Sequence, residues 1–144
     1  MNRILKIALI VLALGLIIFY AVWKYVNAPQ KDFDKIAPAY SLATQEIWQK
    51  YTSDKKLADS LYSNKVIELN GEISRIDKND TLVSVVFVMA ADSMFGDKTI
   101  NCEMYKKHNA EAIALNKGTK VKIKGLCTGY NDPDIKFNKC SIVK

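Results

Sequence analysis

The hydrophobic pattern begins with a long apolar run near the N-terminus. Residues 7–23 contain no charged side chain and consist mostly of Leu, Ile, Val and Ala. As a helix, at about 1.5 Å per residue, this run covers about 26 Å, close to the thickness of the hydrocarbon core of a bilayer. Four aromatic residues cluster at its far end, where such rings favour the headgroup layer: Phe19, Tyr20, Trp23 and Tyr25. The pattern predicts a short basic tail at residues 1–6 and a transmembrane anchor at residues 7–25.

A cleavable signal peptide is the competing interpretation of this run. The apolar region of a signal peptide usually spans about 7–15 residues and ends before small residues. Here the run is longer, and Trp23, Lys24 and Tyr25 stand where small residues would be needed. Val26-Asn27-Ala28 resembles a cleavage site only loosely, and Pro29 follows it. These features favour an anchor that is retained.

The basic residues on the two sides of the run do not decide its orientation. Arg3 and Lys6 precede it and Lys24, Lys31 and Lys35 follow it, so the positive-inside rule gives nearly a tie. A short basic tail followed by a long polar part is typical of an uncleaved signal-anchor, which leaves its tail in the cytosol. We therefore expect a single-pass membrane protein whose C-terminal part is extracytoplasmic.

A linker and a helical segment follow the anchor. Residues 26–40 hold Pro29, Pro38 and mixed charges, which predicts the linker. Apolar side chains then recur at helical spacing across residues 41–62, with Ser41 as the expected helix cap and an interruption at residues 52–54. The side chains expected to face inward are Ala43, Ile47, Tyr51, Leu57, Ala58, Leu61 and Tyr62.

After Asn64 the hydrophobic period changes to two, which is typical of β-strands. Gly71 lies inside the first strand and predicts a sharp bend there. The pattern predicts five strands, with a short helix at residues 106–115 between the third and the fourth; the strands are residues 66–76, 82–90, 100–104, 121–127 and 135–143. This order is that of an OB barrel. The expected fold is mainly β with helices: a five-stranded OB-fold barrel at residues 63–144, preceded by a helical segment and one N-terminal transmembrane helix.

The residues at both ends of this region resemble the tRNA_anti-like family of bacterial OB-fold proteins. The opening carries Tyr51, Ala58, Tyr62, Lys65-Val66-Ile67, Gly71 and Ile76. The ending carries Lys117-Gly118, Val121, Ile123-Lys124-Gly125, Cys127-Thr128-Gly129-Tyr130, Asp134 and Cys140-Ser141-Ile142. The resemblance covers residues 45–143, and its motifs are structural, so it implies the fold and no particular activity. The family name reflects likeness to anticodon-binding domains and implies no tRNA substrate.

Composition and charge limit the function further. The chain has 144 residues, 49% hydrophobic and 25% charged, which excludes a disordered chain and a large multidomain enzyme. The net charge of +6 resembles that of a nucleic-acid-binding protein. However, Arg3, Lys6 and Lys24 contribute +3 within residues 1–30, where no acid is present. The remaining 18 basic and 15 acidic residues leave a mild +3 on residues 31–144.

The candidate chemistry is sparse. His108 is the single histidine, lies between Lys107 and Asn109 on the predicted short helix, and is expected to be exposed. No acidic pair has an evident histidine or serine partner, and no glycine loop for phosphate occurs. The cysteines lack the close spacing of a zinc site. We therefore predict no catalytic residue, cofactor or metal site, and not an enzyme.

The three cysteines allow two interpretations. Cys102 and Cys127 fall on inward strand positions, and Cys140 does so too if a bulge near residues 138–139 shifts the alternation. They are then three buried thiols that pack as small hydrophobic groups. The alternative is a Cys127–Cys140 disulfide across the last hairpin, which an oxidising exterior would permit.

A few residues are candidates for a binding face. Lys120, Lys122 and Lys124 share one side of the fourth strand, and such a stripe tracks phosphates or is an ordinary solvated strand face. The aromatic candidates are Phe87, Tyr105 and Tyr130. The loops that flank the usual OB binding face carry four acids that would repel phosphates: Asp77, Asp80, Asp132 and Asp134.

The second strand is apolar on both sides, which is unusual for a barrel. Val83, Val85, Phe87 and Met89 point one way, and Leu82, Val86 and Val88 point the other. Something must therefore cover its outer side. The cover is expected to be the helix around Ile47, Trp48 and Tyr51, or else a docked protein or peptide.

The sequence thus predicts a membrane-anchored OB-fold binding module that contacts a protein, a peptide or an envelope component. The alternative is a nucleic-acid-binding OB domain related to anticodon-binding domains, which the charge pattern disfavours. A third hypothesis is an enzyme with an unrecognised site.

Overall fold

The computed structural model describes residues 2–27, 32–91, 94 and 96–144. The chain divides into two compact units, residues 1–31 and 32–144.

The first unit contains a single long helix, α1 (Arg3–Val26). Its 24 residues span about 36 Å, enough to cross a bilayer, and none of them is buried. Among the described residues, it is the one helix that is long and apolar enough to cross a membrane. A signal sequence near an N-terminus has the same length and composition.

Within its described residues, the second unit contains seven strands and three α-helices. In chain order they are β1 (Tyr40–Ala43), α2 (Thr44–Ser53), α3 (Lys55–Tyr62), β2 (Val66–Glu72), β3 (Arg75–Lys78), β4 (Val83–Ala90), β5 (Lys98–Met104), α4 (Asn109–Ile113), β6 (Lys120–Asn131) and β7 (Asp134–Val143). Short 3-10 turns at Phe33–Lys35 and Lys106–His108 precede β1 and α4.

The strands form one mixed sheet in the order β1-β2-β6-β7-β5-β4-β3. In this order β2 and β3 stand five positions apart, yet only Ile73 and Ser74 separate them in the chain. A flat sheet would place the two strands about 24 Å apart, whereas the Cα atoms of Glu72 and Arg75 can be separated by at most about 11 Å. The sheet must therefore curl round on itself, as an OB-like fold requires.

The prediction of a five-stranded barrel is wrong in its number of strands and in its closure, because the structure has seven strands in an open sheet. The first predicted strand is broken at Ile73 and Ser74 into β2 and β3, and β1 adds a strand that was not predicted. The end strands β1 and β3 are not paired with each other, so the sheet of seven strands is not closed. The other four predicted strands correspond to β4, β5, β6 and β7.

The start of the helical segment also differs from the prediction. Tyr40–Ala43 pairs in parallel with residues 67–70 of β2, so Ser41 lies on a strand and does not cap a helix. Its hydroxyl donates to Glu68 Oε1 at 2.8 Å. The edge of β2 offers hydrogen bonds to these four residues, and α2 begins only at Thr44.

The core lies on the inner side of the curled sheet, where α2 and α3 pack against it. The inward residues of α2 and α3 in this cluster are Ile47, Tyr51, Ala58 and Tyr62, as expected from their spacing. Three other residues expected to face inward do not: Leu57 and Leu61 are 56% and 37% exposed, and Ala43 is exposed on β1. The cluster includes Val83, Val85 and Phe87 but not Val86, which is buried on the opposite side of β4. The expectation that this helix covers the outer side of β4 is therefore wrong, because its apolar side chains pack with the inward side.

Two glycines permit close approaches between elements. A Cβ at Gly71 would lie 2.5 Å from Cγ2 of Thr44, so this glycine admits the first residue of α2. The strand is interrupted two residues later, at Ile73 and Ser74. A Cβ at Gly125 would lie 2.4 Å from Sγ of Cys140. The expected bulge near residues 138–139 is present, since the β6–β7 register shifts there and Lys139 has a φ of 54°.

Gly125→Ala should lower the free energy of unfolding by about 1–3 kcal/mol, because the added methyl group overlaps the buried Cys140 thiol. Urea denaturation of the full chain in micelles measures this. Cys140→Ala in the same chain should restore part of the loss. Lys122→Ala, an exposed neighbour on β6, should change stability by less than about 0.5 kcal/mol. An equal loss in the lysine variant would contradict the packing argument.

Ile47→Ala should cost about 2–5 kcal/mol of stability, because Ile47 is fully buried where α2 meets the core. Gln49→Ala on the exposed side of the same helix is the matched control. Thermal unfolding followed by circular dichroism would compare them. Similar melting temperatures would show that α2 is a spacer and not part of the domain.

Candidate binding face

The outer side of β4, β5 and β7 corresponds to the surface that OB folds use for ligands. In the register of the sheet, Ser84 lies opposite Glu103, and Asn101 lies opposite Lys136. These side chains line a small cleft of about 110 Å³ together with Phe137 and Asn138. We call Ser84, Asn101, Glu103, Lys136 and Asn138 the polar face.

The polar face offers hydrogen bonds and balanced charge. Its lining holds one acid, Glu103, and one base, Lys136, beside a hydroxyl and two amides. The cleft is smaller than the 300 Å³ or so of a usual small-molecule pocket. The arrangement therefore suits a shallow contact with a polar chain rather than the enclosure of a whole small molecule.

The turn between β6 and β7 borders this face and carries the expected acids. The hydroxyl of Thr99 donates to Asp134 Oδ1 at 2.6 Å, and the hydroxyl of Tyr130 donates to Asp132 Oδ1 at 3.0 Å. At the β3–β4 end, Arg75 Nε lies 3.1 Å from Asp77 Oδ2. The acids are thus anchored as turn and strand residues, and their charges remain near the face.

The predicted aromatic candidates do not meet on one surface. Phe87 is fully buried in the core, so its assignment to a binding face is corrected. Tyr105 accepts a hydrogen bond from the backbone N–H of Phe33 at 3.2 Å. Tyr130 stacks on Tyr51 of α2 with 6.1 Å between ring centroids, and Lys55 Nζ lies 4.8 Å from its ring.

The lysine stripe is present on β6, but it lies beside acids. Lys120 pairs in register with Glu72, and Lys124 pairs with Glu68, while Lys122 lies opposite Asn70. Lys124 Nζ also donates to the backbone carbonyl of Asp34 at 2.6 Å. The stripe therefore borders β2, with an acid opposite two of its three lysines, and it is not part of the polar face.

The structure holds the three cysteines as free, buried thiols. Cys127 pairs in register with Phe137, whereas Cys140 lies beside Met104 of β5. The β6–β7 bulge causes this offset, so the two cysteines of the predicted disulfide are not cross-strand partners. Desolvation raises the pKa of the Cys127 thiol, although its hydrogen bonds with Tyr51 and Gly129 act in the opposite direction.

His108 differs from the exposed residue that was expected. Its side chain is 22% exposed, with Nε2 2.9 Å from Asp34 Oδ2 and Nδ1 3.3 Å from Glu111 Oε2. Asp34 lies 74 positions away in the chain, so the pattern around His108 could not reveal this partner.

A second, larger cleft was not predicted. It encloses about 720 Å³ at the junction of β2 and β3. Its charged lining residues are Glu72, Arg75, Asp97 and Lys117, and Arg75 Nη1 lies 3.4 Å from Asp97 Oδ2. Because the lining comes from distant segments, periodicity could not bring these residues together. The sequence indicated the polar face only weakly, through Ser84, which is the polar residue that interrupts the apolar second predicted strand.

Comparison with solved structures supports the fold. A Klebsiella pneumoniae lipoprotein described as nucleic acid-binding matches with a TM-score of 0.55 and 19% identity, over 72% of this chain and 91% of its own. A Leishmania major protein described as an aspartyl-tRNA synthetase matches with a TM-score of 0.48 and 13% identity, over 87% of this chain and 25% of its own. At 19% identity the first match supports the fold alone, and the TM-score of the second is too low to support a shared fold. No curated protein matches the sequence.

A family model, by contrast, matches almost the whole sequence. The match runs over residues 1–142 and so includes α1 as well as the sheet and its helices. The chain therefore belongs to the tRNA_anti-like family.

Proposed function

We propose that the chain is a membrane-anchored OB-type binding module whose polar face contacts a protein, a peptide or another envelope component. The observation that carries this proposal is the composition of the polar face. Ser84, Asn101 and Asn138 offer donors and acceptors without net charge, and Glu103 and Lys136 balance each other. Such a surface recognises a polar chain through hydrogen bonds rather than through phosphates.

The anchor in this proposal is α1. Its 24 residues suffice for a bilayer, and the aromatic residues near its C-terminal end suit the headgroup layer. We further propose that the second unit lies outside the cytoplasm, as expected for a signal-anchor with a short basic tail. An envelope component would then be within reach of the polar face.

Nucleic acid fits this surface less well. Phosphate binding needs uncompensated positive charge, and single strands need aromatic rings on which bases stack. The lysines of β6 lie beside Glu68 and Glu72, and Phe87 is buried. The acids of the bordering turns add repulsion. For these reasons we propose a protein, peptide or envelope component as the ligand and keep nucleic acid as the alternative ligand.

The proposal includes no catalytic step. His108 lies between the carboxylates of Asp34 and Glu111. Among the described residues, both hydrogen-bond partners of its ring are carboxylates, and neither is a hydroxyl or thiol nucleophile. A histidine held by two acids on the surface of a domain needs no catalytic role to explain it.

A photo-crosslinking amino acid at position 101 should form covalent adducts in cells. Treatment with protease or with envelope-degrading enzymes should remove the crosslinked partner from these adducts. The reason is that Asn101 lies at the centre of the polar face. The same amino acid at the exposed position of Lys56 on α3 is the control and should give few adducts. Electrophoresis and mass spectrometry of the adducts provide the measurement. Adducts that only nuclease removes would contradict the proposal and favour the alternative.

The topology is tested by reporters fused after Lys144. Alkaline phosphatase should be active and green fluorescent protein should be dark, because the fusion point is expected to lie outside the cytoplasm. The same fusions to residues 32–144, which lack α1, are the control and should show the reverse. A fluorescent full-length fusion with inactive phosphatase would place the polar face in the cytoplasm and remove envelope components from its reach.

A further inference from the structure

Residues 32–36, which we call the strap, lie across β6 and β7 at the start of the second unit. They include the 3-10 turn at Phe33–Lys35 and follow α1 after a few residues of sequence. The strap contacts the domain through its charged side chains, its backbone and one aromatic ring.

The carboxylate of Asp34 is the centre of this contact. Its Oδ2 atom lies 2.9 Å from His108 Nε2 and forms an ion pair with Lys107 Nζ. Desolvation alone would raise the pKa of Asp34, but hydrogen bonds from Lys107, Ser141 and His108 outweigh it and hold this pKa well below its ordinary value. Asp34 is therefore an anion held by three donors.

Further contacts surround this anion. Lys124 Nζ donates to the backbone carbonyl of Asp34 at 2.6 Å, and Lys107 Nζ lies 3.6 Å from Asp32 Oδ1. Lys139 Nζ lies 5.0 Å from the ring centroid of Phe33. Three lysines from three parts of the fold thus converge on the strap.

The surface beneath the strap is strongly basic. We call Lys107, His108, Lys124, Lys139 and Ser141 the basic patch; they come from the turn after β5, from β6 and from β7. Two acids outside the strap lie beside the patch: Glu111, which contacts His108 and pairs with Lys144 at 3.4 Å, and Glu68, which lies opposite Lys124 in the register of β2 and β6. The ion pairs of Lys107 within the described residues are with the two acids of the strap, Asp32 and Asp34.

We propose that the strap is an internal anionic ligand, and that the basic patch beneath it is a binding site for the phosphate of an anionic lipid headgroup. The ammonium group of Lys107, the imidazole of His108 and the hydroxyl of Ser141 converge on the Asp34 carboxylate, and these are donors that also recognise a phosphate. Basic side chains close to a membrane attract anionic lipids. This site lies on a different surface from the polar face, and it rests on the proposed function only in that α1 anchors the chain to a membrane.

A headgroup suits the patch better than a nucleic acid does. Asp34 is only 19% exposed and Ser141 is 5% exposed, so the patch encloses one anionic group rather than a track of phosphates. The strap is also an intramolecular competitor with a high effective concentration. A bilayer presents headgroups to a tethered protein at a comparably high local concentration, so lipid can compete with the strap where a dilute ligand cannot.

The test uses the full chain in nanodiscs and measures how fast Lys107 reacts with an amine-acylating reagent. In phosphatidylcholine discs, Asp34→Asn should raise this rate on the order of fivefold, because Lys107 loses the carboxylate partner that raises its pKa, and more of the amine is then free. In discs that contain phosphatidylglycerol, the rate in this variant should fall back toward that of the wild type. Asp77→Asn removes an acid that pairs with Arg75 and is the matched control, with wild-type rates expected in both discs.

The exposed Lys56 on α3 reports on folding, since its rate should be equal in all variants. If Asp34→Asn changes the rate of Lys56, Asp32→Asn replaces it, because Asp32 is an exposed part of the strap and pairs with Lys107. A smaller rise at Lys107 that phosphatidylglycerol reverses would then support the proposal.

Several outcomes would overturn the proposal. An unchanged Lys107 rate in the Asp34 variant would show that the strap does not cover the patch. Equal rates in the two kinds of disc would show that the patch does not bind headgroups. Protection by inorganic phosphate without protection by phosphatidylglycerol would assign the site to a soluble phosphate. Protection by a short oligothymidylate alone would assign it to nucleic acid.

Discussion

The two-residue link between β2 and β3 is the constraint on which the rest of the domain depends. Ile73 and Ser74 join strands that stand five positions apart in the sheet, so the sheet has to curl. The link is bonded to both sides: the N–H of Ile73 donates to Thr119 O at 3.0 Å, and the N–H of Ser74 donates to Val86 O at 3.0 Å. One side of the sheet thereby becomes an enclosed core, and the other becomes a set of outward surfaces with different chemistry.

The curl also explains why the helices belong to the domain. A sheet that curls without closing leaves apolar side chains uncovered at its open side. Ile47 and Tyr51 of α2 and Tyr62 of α3 are buried in the same cluster as the inward side chains of the strands. The buried Thr44 against Gly71 ties the start of α2 directly to β2. Hydrophobic burial by the helices therefore completes the core of this OB-like fold.

Charge compensation determines the character of the outer surfaces. Glu68 and Glu72 face the lysines of β6, and Asp34 covers Lys107. The polar face of β4, β5 and β7 keeps one charge of each sign. Membership of the tRNA_anti-like family accounts for the architecture, but ligands are recognised by individual surfaces, and folds of this kind carry many functions.

Periodicity over neighbouring residues was enough to predict the apolar helix, four of the strands and the burial of Ile47, Tyr51, Ala58 and Tyr62. It did not predict that Leu57 and Leu61 of α3 are exposed. Only the tertiary structure decided that Ser41 joins a strand, that Phe87 lies in the core and not on a binding face, and that Gly71 admits Thr44. The contact between Asp34 and His108 likewise joins residues 74 positions apart. Local periodicity predicts which way a side chain faces within its own element, whereas the partner it meets depends on how distant elements are brought together by the curl of the sheet.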